Sequence, residues 1–182
     1  MEKLFAKTNL EEYFVTQKKK IIKKIKSKDL PPNTDANEFA NIILEQRRIE
    51  PIKLQLSESH TNYKQLTLDK DKYFVRVRIP YTGDKQLLNL YPAAYKYSEL
   101  PNGRAGYELI VLHFIIDIST PKTENERVFQ MAIDNLKKLV EIVNKEVISH
   151  NSWMNVEVLP LVESKIEKAN KVREVVDSFR IA

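Results

Sequence analysis

Arg76, Arg78, Tyr81, Lys85, Tyr91, Tyr95, Lys96, Tyr97 and Arg104 crowd into one stretch of the chain. The chemistry such a mixture offers is recognition, because guanidinium forks hold an anionic group while aromatic faces stack a base or another planar ligand. Arg76, Arg78, Tyr81, Lys96 and Arg104 are therefore the candidate ligand-binding set. The competing expectation is plainer: Arg76 and Arg78 are the outer face of a strand, and the tyrosines are strand formers packing at edges. A second candidate set is Lys18, Lys19, Lys20, Lys23 and Lys24, within the run Lys18-Lys19-Lys20-Ile21-Ile22-Lys23-Lys24-Ile25. These lysines could contact the phosphates of a polyanion, nucleic acid above all, and less readily a membrane surface. Here too a structural role competes, since cations near a helix C-terminus are favourable in themselves.

Catalytic chemistry finds no such footing. Gly83, Gly103 and Gly106 are the only glycines, and they cannot build the clustered turns that cradle nucleotide phosphates. His60, His113 and His150 stand at no metal-ligand spacing, and the absence of cysteine removes thiolate ligands and a thiol nucleophile. His113 is expected as a hydrogen-bonded residue of a buried strand and His150 as a loop residue. Glu163-Ser164-Lys165 is the one tidy Glu-x-Lys triplet, and helical periodicity puts it on a solvated face. No catalytic, cofactor-binding or metal residue is nominated, and no cofactor is expected. An enzyme would need a carboxylate or histidine cluster formed only in three dimensions.

The elements that must position these residues change period along the chain. Thr8-Asn9-Leu10-Glu11 reads as a capping box for a first helix with Leu10, Phe14, Ile21 and Ile25 on its apolar side, and Asp35 with Glu38 starts a second. From residue 52 apolar residues alternate: Ile52, Leu54 and Leu56, then a short strand at Leu66 to Leu68, a turn at Asp69-Lys70-Asp71, and Tyr73, Val75, Val77 and Ile79. Leu109 to Ile116 is apolar on both faces, as in a central strand. Pro121 then opens a helix with the stripe Phe129, Ile133, Leu136, Val140, Val143 and Val147. After a loop around His150 to Asn155, a closing helix carries Val162, Ile166, Ala169, Val172, Val176 and Phe179. The expected fold is α+β: one domain over 1–182, with a helical arm at 1–50, a mainly antiparallel sheet at 52–119 and an antiparallel helix pair at 121–180.

At 182 residues with 42% hydrophobic and 30% charged content, the chain can bury one good core. Its +5 charge is local, because nine lysines in residues 1–30 face four carboxylates while the remainder balances. The N-terminus lacks an apolar signal region and no apolar run reaches the length of a membrane span, so a cytoplasmic setting without membrane contact is expected. The last stripe runs to within three residues of Ala182, which suggests a piece or partner of something larger. Leu139 and Ile142, on a second apolar flank, are the residues assigned to association with a second copy or another protein.

One resemblance adds to this. Ile79-Pro80-Tyr81-Thr82-Gly83-Asp84, Tyr91-Pro92, the Leu100-Pro101-Asn102-Gly103 turn before an apolar strand, Asn151 or Asn155, Leu159-Pro160 and the basic run Lys168 to Arg173 resemble an N-terminal module of bacterial effector fusions. In those proteins the C-terminal half is a TIR or restriction-endonuclease-like domain of the antiphage-defence type. The likeness covers about residues 70–182 and implies a non-catalytic sensing or assembling module. It carries over no enzymatic residue, and only Lys171 and Arg173 stand where such modules place an arginine pair. Together these readings favour a binding, regulatory or oligomerisation module, with a nucleic-acid-binding module as the alternative.

Overall fold

Asp35 shows how local chemistry starts an element: its carboxylate accepts from the backbone amides of Asn37 (2.8 Å) and Glu38 (3.0 Å), and helix α2, Ala36–Arg47, follows at once. Helix α1, Leu10–Ser27, is capped one residue later than the capping box implies, by the side chain of Asn9 accepting from Glu12 N at 3.0 Å. The structure, a computed structural model, describes residues 2–31, 33–67, 69–93, 95–96 and 100–179. Leu68, Tyr97 and Arg180-Ile181-Ala182 lie outside them. The class is α+β, with helices and a mainly antiparallel sheet.

The chain divides into two units, residues 1–13 with 50–147 and residues 14–49 with 148–182, where the sequence suggested one domain with an arm. In the first unit, strands β1, Thr8–Asn9, and β5, Leu90–Tyr91, form a small parallel pair. The main sheet is built on β4, Lys72–Thr82. One edge of β4 pairs antiparallel with β2, Lys53–Leu54, and with β3, His60–Gln65. The other pairs with β7, Leu109–Asp117, which in turn pairs with β6, Gly103–Ala105. At the end of β4, Gly83 has φ +101°, and a Cβ there would stand 2.3 Å from the Pro51 carbonyl oxygen, so only glycine fits.

Period 2 sorts the sheet residues. Val75, Val77, Ile79 and Tyr81 of β4 and Ile110 and Leu112 of β7 are buried, as are Ile133, Leu136, Leu139, Val140, Val143 and Val147 of helix α3, Lys122–Ser178. The Phe114 and Phe129 rings, 5.4 Å apart, join β7 to that helix. Asn144 locks the segment before β2 by a double hydrogen bond, accepting from Ile52 N (2.8 Å) and donating to Ile52 O (2.7 Å). In the second unit Ile21, Ile25, Phe39 and Ile43 pack on Met154, Val158 and Val162. There Asn151 makes the same double bond to Ile49, at 3.3 and 2.9 Å.

The C-terminal helix pair is corrected: residues 122–178 form one helix, α3. His150 to Asn155 contains neither Gly nor Pro, so nothing in the backbone breaks the helix there. His150 is only 2% exposed and belongs to the helix, not to a loop. Val162 is buried against α1 and α2, whereas Val172, Val176 and Phe179 are exposed at 61, 53 and 73%.

Candidate functional site

Antiparallel register places directly opposed residues on the same face of a sheet. Arg76 opposes His113 on β7 and Asn62 on β3; Arg78 opposes Val111 and His60; Arg104 of β6 also opposes Val111; Phe74 opposes Ile115 and Lys64. Arg76, Arg78 and Arg104 therefore share the face of the sheet turned away from α3, with Phe74 and His113 between them. Arg76, Arg78, Arg104, Lys64 and Ile115 are exposed, and Phe74 and His113 are half-buried.

The centre of this face is an interlocked group. The Phe74 and His113 rings are 5.2 Å apart at 44°, and the Arg76 guanidinium carbon stands 5.3 Å from the Phe74 centroid. Partial burial, then the charges of Arg76 and Arg104, lower the His113 pKa from its usual 6.5, with Glu2 opposing from the sheet margin. A neutral imidazole is thus held beside two guanidiniums. Asp117, at the far end of the face opposite Lys72, is occupied by Ser119, and Lys72 by Asp69 at 2.7 Å. The cations nearer the centre meet no carboxylate within ion-pairing distance among the described residues.

Tyr81 does not join this set. Its odd register turns it to the buried face, where it is 3% exposed and its hydroxyl donates to Gly106 O at 3.0 Å. Burial, and secondarily the Glu108 charge, raise its pKa above the usual 10. Lys96 lies exposed in the loop after β5, off the sheet. Phe74 and His113 are the site residues that sequence reasoning missed. Phe74 had a signal, since it shares the parity of Arg76 and Arg78; the approach of His113 and Arg104 depends on pairing distant in sequence.

The lysine set lies in the second unit, on α1. Lys18 stands over the Trp153 ring at 5.0 Å and Lys24 donates to Gln46, so both serve internal packing. Lys19, Lys20 and Lys23 are exposed. Beside them a groove of about 290 Å³ has a floor of Ile22, Ile25 and Leu161 and is flanked by Lys26, Lys165 and Lys168. Lys165 is tied down by donating to Lys26 O at 3.0 Å.

Neither association residue stands free. Leu139 is fully buried within the first unit and Ile142 half-buried, so Leu139 cannot serve a docking surface in the folded chain. Exposed apolar residues of α3 include Val128, Met131, Ile148 and Val156 along its length, and Val172, Val175 and Val176 near its end, with Phe179 just beyond it. Among the described residues no three His, Cys, Asp or Glu side chains gather as a metal site, and no helix is long and apolar enough to cross a membrane. No family model, curated protein or solved structure matches the chain.

Proposed function

We propose that the protein is a non-catalytic binding module that takes a polyanion on the outer face of its main sheet. The observation that carries this is the gathering of Arg76, Arg78 and Arg104 on one open face around Phe74 and His113. Unpaired guanidiniums repel one another, and a polymer carrying phosphates relieves that repulsion while releasing its counterions. The exposed lysines of α1 add a second cationic surface in the other unit. Changing Arg76, Arg78 and Arg104 together to Gln should weaken nucleic-acid binding at low salt by about a hundredfold and reduce the slope of log K against log salt by about 2, at about 0.7 per phosphate contact. Changing Lys19, Lys20 and Lys23 to Gln should have a smaller effect. An unchanged salt slope in the arginine variant refutes this reading.

A second reading is self-association, favoured by the exposed stripe Val172, Val175, Val176 and Phe179 at the end of α3. It accords with an assembling role of the effector-associated kind. A concentration series in light scattering tests it, and a mass that stays monomeric throughout refutes it.

A further inference from the structure

We infer that the polyanion taken by the sheet face is a single-stranded nucleic acid, its bases stacked on Phe74 and His113; this rests on the polyanion reading above. Charge alone does not distinguish a single strand from a duplex, but the shape of the face does. Four adjacent strands, β6, β7, β4 and β3, bear the site. At about 4.8 Å per strand the platform is about 14 Å across before side chains are counted, wider than the roughly 12 Å major groove, which admits a helix or a two-stranded ribbon. A duplex could meet only the tips of the cations.

The middle of the face, by contrast, is made for unpaired bases. Phe74, His113 and the exposed Ile115 form an apolar and aromatic patch, and Arg76 stacks over Phe74. A base has a π-face that such rings can stack on whatever its sequence, and guanidinium planes stack on bases as rings do. Arg78 and Arg104 stand in one register row beside the patch, where they can hold phosphates on either side of a stacked base. Neutral His113 suits this role, since a ring without its own charge stacks and leaves the phosphates to the arginines.

The test is fluorescence anisotropy on the full chain over a salt series. The probes are labelled oligo-dT and oligo-U of about twelve nucleotides, within the range single-strand platforms cover, a duplex of the same length, and inorganic polyphosphate as competitor. Either single strand should bind about tenfold or more tightly than the duplex. Phe74→Leu should weaken single-strand binding about tenfold at an unchanged salt slope, because it removes stacking and no charge, and Phe74→Tyr should restore it. Arg104→Gln should instead lower the slope by about 0.7. If Phe74→Leu does not fold, His113→Gln is read in the same way. Equal binding of duplex and single strand, or loss of a ring without effect, overturns this inference and leaves the polyanion reading standing. Arginine variants that bind as the parent does overturn both.

Discussion

His150 has both ring nitrogens buried without a hydrogen-bond partner among the described residues, held between Phe14 at 5.2 Å and Trp153 at 6.0 Å. Burial, and then the nearby Lys18 charge, lower its pKa from 6.5 to about 4. The folded protein thus binds a proton less readily than the unfolded chain. The stabilising contribution is complete above pH 6.5 and is lost as pH falls toward 4, at no more than about 1.4 kcal/mol per pH unit. Urea unfolding should therefore show a clear drop in stability between pH 7 and 5, and His150→Leu should flatten that drop. An equally steep drop in the variant would disprove the assignment. The polar cluster at His150 and Asn151 looks like a loop in the sequence because its burial depends on residues a hundred or more positions away: Asn151 spends its amide on Ile49, and His150 lies against Phe14.

At the scale of elements, α3 continues through Pro160, which has no N–H to donate and whose ring crowds the preceding turn, a burden of about 3 kcal/mol in a helix interior. The neighbouring Val158 and Val162, both fully buried against α1 and α2, hold the helix in place against it. Pro160→Ala should therefore raise stability by about 1–3 kcal/mol in chemical denaturation, and a destabilised variant would show that the backbone here departs from helical geometry. Helix α2 and strands β4 and β7 were legible because their signals are local: an Asp35 cap, strict alternation, an apolar run. Strand β3 was missed because all six of its residues are exposed, so no alternation of burial marks the sequence. Half of the candidate site was legible by the same logic. The parity of Arg76 and Arg78 announced a face, and that parity could also have excluded Tyr81.

For the whole molecule, the last turns of α3 expose the apolar stripe at Val172, Val175, Val176 and Phe179. If it mediates association, Val172→Asp with Val176→Asp should shift a concentration-dependent mass toward monomer and leave the unfolding midpoint within about 0.5 kcal/mol of the parent, as surface substitutions do. Val162→Asp, placed in the core of the second unit, should unfold that unit instead, because a carboxylate would be buried without a partner. The sequence marked Val162, Val172 and Val176 as one stripe, since periodicity reports which side of a helix is apolar. How far along that side the neighbouring helices reach is decided by the ends of α1 and α2, and no pattern within 162–179 encodes it.

The asparagines at 144 and 151 have a further consequence, in how mutation can reach the path of the chain between α2 and β2. Each reads only a main-chain N–H and C=O, so the instruction for where residues 49 and 52 run is stored on α3 and not in the segment that obeys it. Side chains at Ile49 and Ile52 can drift among apolar types without erasing that instruction. Exchange of either asparagine for aspartate, nearly the same in shape, turns its one donor into a second acceptor against a carbonyl and makes the instruction unreadable. Inheritance of this connection is therefore concentrated in two amide nitrogens.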